Sequence, residues 1–80
     1  MSTPPELPEL PLGRYRHYKG NDYEVVAVAR HSETLEAMVV YRALYGEGGL
    51  WVRPYAMFTE YVVVDGTPVR RFAPIEPAQG

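Results

Sequence analysis

Gly46-Glu47-Gly48-Gly49, set between two apolar and aromatic runs, limits this chain more than any other feature. AMVVYRALY (37–45) and LWVRP (50–54) are rich in the β-branched and aromatic side chains that suit a pleated, half-buried surface. The glycines between them accept the positive φ angles of a tight reversal. The passage predicts a β-hairpin. Pro54 then opens PYAMF, where proline fits the first position of a single helical or 3₁₀ turn. Nothing from Tyr41 to Phe58 has the spacing of a nucleophile and its base or of a metal-ligand set, so this passage describes architecture.

The same signals recur on both sides. GRYRHY (13–18) and YEVVAVAR (23–30) flank Lys19-Gly20-Asn21-Asp22, which is turn chemistry, and predict another hairpin. HSETLE (31–36) predicts a short irregular turn, because Ser32 and Thr34 can satisfy backbone amides locally. YVVV (61–64) is a further strand, and Asp65-Gly66 turns the chain toward an edge strand within TPVRRF (67–72). Five or six short strands joined by tight turns predict an all-β domain, a small closed or half-closed barrel.

Eighty residues allow one domain. Pro4, Pro5, Pro8 and Pro11, interleaved with Glu6 and Glu9, predict a disordered, polyproline-like arm over 1–12. A disordered tail is expected over 76–80, leaving 13–75 as the folded domain. The absence of cysteine excludes a disulfide framework and a cysteine zinc site, and points to a reducing cytoplasm. The acidic, proline-rich start does not fit a signal peptide, and no apolar run approaches membrane-spanning length. A net charge of −2 argues against a wholly basic clamp on duplex DNA, yet leaves room for a local basic face.

The turns set a register. If they are tight, Tyr18 lies opposite Tyr23, Arg16 opposite Val25, Arg30 opposite Ala37 and Val25 opposite Arg42. Tyr45 then lies opposite Leu50, and Arg42 opposite Arg53. Tyr15, Val26, Val28, Val39, Tyr41, Ala43, Leu50 and Val52 share the core face. Arg14, Arg16, Tyr18, Tyr23, Arg42, Leu44, Trp51 and Arg53 share the other. Three arginines, Arg16, Arg42 and Arg53, would form one cross-sheet row that demands anionic company. That company is either the chain's own Glu33, Glu36, Glu60 and acidic arm, or a ligand.

The functional expectation is therefore a binding or interaction module without catalysis. Arg16, Arg42 and Arg53 would contact an anionic ligand or single-stranded nucleic acid, Tyr18, Tyr23 and Trp51 would offer stacking planes, and HSETLE with His31 and Glu33 would form one rim. An alternative is a small enzyme or accessory domain with His31 as acid or base beside Glu33, although adjacent residues rarely face one another usefully. A third is a structural domain that associates with itself or a protein partner through sheet edges. His17, His31 and Glu33 lack convergent metal-ligand spacing, and the glycine turn lacks the Lys-Ser/Thr ending of a phosphate loop, so no metal or cofactor is expected.

GRYRHYKG (13–20), YEVVAVARHSETLE (23–36), VVYRALYG (39–46) and LWVRPYAMF (50–58) together resemble the bacterial Domain-of-Unknown-Function 1653 family, DUF1653. The resemblance covers the folded region and not the proline-rich arm or the C-terminal tail. It implies an SH3-like β-barrel of about five strands in a small cytoplasmic bacterial protein. It implies no activity, substrate or catalytic residue.

Overall fold

Every aromatic and β-branched run becomes a strand in the computed structural model, which describes residues 6–75. In chain order these are β1 (Gly13–His17), β2 (Asp22–Arg30), β3 (Ala37–Ala43), β4 (Leu50–Pro54), the one-turn helix α1 (Tyr55–Phe58), β5 (Tyr61–Val64), β6 (Thr67–Arg70) and β7 (Phe72–Pro74). Five strands form an antiparallel sheet in the order β4-β3-β2-β1-β7, and β5 and β6 make a separate hairpin. The all-β class and the single helical turn after Pro54 agree with the sequence. Among the described residues no ladder joins β4 to β7, so the large sheet is open at both edges.

The core lies on one face of this sheet. Tyr15, Val25, Val39, Tyr41, Ala43, Phe58 and Phe72 are its buried apolar residues. The α1 turn drops Phe58 onto Phe72, their rings stacked 4.1 Å apart, and Tyr15 and Tyr41 meet Phe58 at 5.5 and 5.4 Å. Aromatic rings bury much area per residue, which is how so short a chain assembles a core without cysteine.

Two registers differ from the expected ones by three residues. Arg14 lies opposite Glu24 and Arg16 opposite Asp22, while Arg42 lies opposite Leu50 and Val39 opposite Arg53. The causes differ. The first reversal keeps a short loop but is displaced toward Tyr18, with the His17 N–H bonded to the Asn21 carbonyl at 2.8 Å. In contrast, β3 ends at Ala43, so the second reversal is longer than its glycines alone suggest. The HSETLE reversal does set Arg30 opposite Ala37, as expected. A bulge between Val25 and Ala27 then shifts the ladder, so Val25 meets Tyr41 and not Arg42. Val25 therefore takes the core position expected for Val26, and Leu50 and Val52 stand exposed on the outer face.

Of the expected N-terminal arm, residues 6–12 are described and form no regular element. Leu10 packs against the core, and the Tyr15 hydroxyl donates to the Pro11 carbonyl at 2.7 Å. Leu7 to Leu12 flank a shallow groove beside Val26, Ala27 and Val28. Gly13, at φ +120°, makes the turn from this segment into β1, a conformation L side chains rarely adopt. Residues 1–5 and the expected tail over 76–80 lie outside the described residues.

Candidate functional site

The three-residue shift dissolves the expected arginine row. On the outer face, Glu24 sits between Arg14 on β1 and Arg42 on β3, so charge alternates across the ladder. Arg16 Nε donates to Asp22 Oδ1 at 2.8 Å, with a second bond from Nη2 to Oδ2 at 3.3 Å. That hydrogen bond holds the Asp22 carboxyl below its usual range. Arg42 Nη1 lies 3.4 Å from the Gly48 carbonyl. Arg53, directly opposite Val39, belongs to the opposite, core-side face. Like charges in direct opposition destabilise a sheet, and the observed register avoids them.

A different gathering occupies the core-side rim. His17 on β1 faces Phe72 on β7, with ring centroids 4.9 Å apart, and stacks at a tilt on Tyr18 at 4.6 Å. Lys19 Nζ lies 5.9 Å from the Tyr18 ring, and the Arg53 guanidinium 5.7 Å from the Phe72 ring. Arg53 Nε also donates to the Tyr41 hydroxyl at 3.3 Å. Tyr18 N–H bonds the Arg71 carbonyl at 3.0 Å, which brings the end of the β6–β7 connection to the same place. Arg71 pairs with Glu60 at 3.1 Å, while its Nε is buried without a hydrogen-bond partner. Tyr23 completes the patch, 5.5 Å from Phe72 and 6.4 Å from His17.

Electrostatics agree with this geometry. The His17 pKa lies below its ordinary value, through burial first and then through the charges of Arg71, Arg53 and Lys19. Its Nδ1 accepts the Lys19 backbone N–H at 3.2 Å, a bond available only to the neutral ring at that nitrogen. His17 is thus bordered by the aromatic faces of Tyr18, Tyr23 and Phe72, with Lys19 and Arg53 over two of those rings and Arg71, paired with Glu60, nearby.

The structure divides the expected site residues. Tyr18, Tyr23 and Arg53 come together on the rim, and Trp51, opposite Tyr41, shares their face at its exposed edge. Arg16 and Arg42 lie on the other side of the sheet. His31 and Glu33 stay in the β2–β3 reversal, where His31 Nδ1 accepts the N–H groups of Glu33 and Thr34 at 3.1 and 3.2 Å. Ser32 Oγ donates to Glu33 Oε2 at 2.6 Å, and Thr34 Oγ1 accepts the Glu36 N–H at 3.2 Å. The polar groups of HSETLE thus hold a turn together. His17, Lys19 and Arg71 were missed as site residues because β7 pairing with β1 was not foreseen; their signal was the local run His17-Tyr18-Lys19 and the Arg70-Arg71 pair.

Among the described residues no group of three or more His, Asp or Glu is placed to hold a metal ion, and no helix is long and apolar enough to cross a membrane. An open antiparallel sheet, a one-turn helix and a satellite hairpin around an aromatic core define a small all-β domain. A family model described as a protein of unknown function, DUF1653, matches residues 13–74, and the chain belongs to that family. It is similar to a protein belonging to DUF1653 from Bordetella bronchiseptica whose crystal structure is known. The two share 35% identity over 90% of this chain and 95% of that one, with a TM-score of 0.78. No curated protein matches the chain.

Proposed function

We propose that the protein is a binding module that takes single-stranded nucleic acid on the rim formed by His17, Tyr18, Lys19, Tyr23, Arg53 and Arg71. The observation that carries this reading is that Lys19 and Arg53 lie over the Tyr18 and Phe72 rings that flank His17. Guanidinium and ammonium groups hold phosphates, and exposed tyrosine faces stack bases without demanding a sequence. On this reading the open sheet, α1 and the hairpin are assembled as an SH3-like roll over 13–75, working in the bacterial cytoplasm, where a chain without cysteine is at home. Arg16 and Arg42 balance Asp22 and Glu24 on the outer face and take no part.

The test is a titration with a ten-nucleotide oligothymidylate followed by amide chemical shifts. Shifts centred on Tyr18, Lys19 and Phe72 are expected, with the logarithm of affinity falling against the logarithm of salt at a slope of about −2 for roughly three phosphate contacts. Lys19→Ala and Arg53→Gln weaken binding, and Arg42→Ala leaves it unchanged. Shifts confined to the outer face, or binding lost in Arg42→Ala alone, overturn the assignment.

A further inference from the structure

Beyond the ligand rim, β4 is an edge strand whose protections, Arg53 and Pro54, lie at its C-terminal end and leave its first three residues open. Leu50, Trp51 and Val52 follow one another at 57%, 59% and 58% exposure, and no lysine interrupts them. The Ala43 N–H bonds the Gly49 carbonyl at 3.0 Å, which fixes the alternation of the ladder. Gly49, Trp51 and Arg53 direct their backbone groups toward β3, so Leu50 and Val52 direct theirs outward. Pro54, lacking an N–H, falls on the same outward-directed set and costs β3 nothing. The edge therefore offers two complete donor–acceptor pairs and one further carbonyl.

We infer that a second copy of this chain pairs here, β4 against β4, antiparallel about a two-fold axis. The strand is complementary to itself. Arg53 is its only charged residue, and two registers use the outward groups. One centred on Trp51 pairs every outward N–H and carbonyl of Leu50 and Val52, and one centred on Val52 pairs all but the Leu50 carbonyl, which meets Pro54. Centred on Val52, pairing sets each Trp51 across from the other copy's Arg53, a cation–aromatic contact made twice. Centred on Trp51, it sets the two indoles face to face and each Arg53 across from Gly49. Either register makes four backbone hydrogen bonds and opposes no like charges. Centring on Arg53 would oppose two guanidiniums, and centring on Leu50 would require Gly48, at φ +70°, to become extended. The glycine reversal before Leu50 and α1 after Pro54 limit the partner strand to five residues, the length of β4 itself. The outcome is a sheet continuous across two copies, with Leu50 and Val52 of each forming an apolar seam on its outer face.

Sedimentation equilibrium of the full chain, with Trp51 emission measured on the same samples, tests this. The mass is expected to rise with concentration from 9.1 kDa toward twice that, and the emission of the single tryptophan to shift to the blue in step. Val52→Lys puts charge into the seam and weakens association by about tenfold or more. Val52→Pro removes an N–H that no residue of its own copy uses, and has the same effect. Both leave the buried core untouched and preserve the amide spectrum around Phe58 and Phe72. A monomer with unshifted emission up to millimolar concentration overturns the inference, and so does a dimer that persists at wild-type strength in both variants.

Discussion

The Tyr23 and Tyr45 hydroxyls lie 2.8 Å apart, their rings edge to face at 5.6 Å. This bond anchors the chain just beyond β3 onto the centre of the sheet. Burial first, then the bond to Tyr45 and the negative charge that Tyr45 and Tyr41 carry when ionised, push the Tyr23 pKa up to about 12. A raised folded-state pKa stabilises the protein fully below the unfolded value near 10 and loses that contribution as pH climbs through the folded one. Stability is therefore expected to fall between about pH 10 and about pH 12. Tyr45→Phe brings the Tyr23 transition down toward ordinary tyrosine, read by ultraviolet absorbance. A Tyr23 transition unmoved by that substitution counts against the hydroxyl pair.

His17 titrates in the other direction. Its lowered pKa means that the native state resists a proton which the unfolded chain accepts. The associated stability is present above the unfolded value of about 6.5 and is lost as pH falls through the folded value. Proton NMR of the imidazole is expected to give a midpoint below that of an ordinary histidine. Lys19→Ala and Arg53→Gln each raise it, because each removes a neighbouring positive charge. A midpoint that neither substitution moves shows that these charges do not act on His17.

Phe58→Ala should be close to the limit of what this domain survives. Phe58 is 1% exposed and joins Tyr15, Tyr41 and Phe72. Emptying such a site costs about 3–5 kcal/mol, against a total of roughly 4–12 kcal/mol for a domain of this size. Urea denaturation of the variant is expected to show either a much reduced midpoint or no cooperative transition. A loss under about 1 kcal/mol would show that α1 does not close the core.

Leu35 sits at φ 65° while its side chain is largely exposed. A left-handed conformation is costly for leucine and tolerable for asparagine, so Leu35→Asn is expected to stabilise the domain by about 0.5–1 kcal/mol. Leu35→Ile, branched at Cβ, should destabilise it by about 1 kcal/mol. Thermal denaturation that ranks the two variants in the opposite order refutes the strain.

Strand identity was legible because Tyr, Val and Trp cluster between turn residues, and α1 because Pro54 marks its start. Arg30 opposite Ala37 was legible because HSETLE closes a compact loop. Where each hairpin turns was not: the first reversal is displaced toward Tyr18 and the second is lengthened. The glycines of Gly46–Gly49 admit a tight reversal without enforcing one, and a three-residue slip moved Arg42 away from Arg53. Phe58 and Phe72 were missing from the expected core for a related reason, since both arrive from outside the two hairpins and only tertiary packing places them. The rim likewise depends on β7 joining β1, a long-range pairing that no local pattern announces.

Val26 is the extra residue that lets β2 reverse its parity midway. Tyr23 and Val25 look inward before it, whereas Val28, facing Val39, looks inward after it. The run of Val25, Val26, Ala27 and Val28 lacks strict alternation for that reason. Removing this one residue would turn half of the longest strand inside out, so the least conspicuous valine is a position where insertions and deletions should be forbidden even though many side chains would serve.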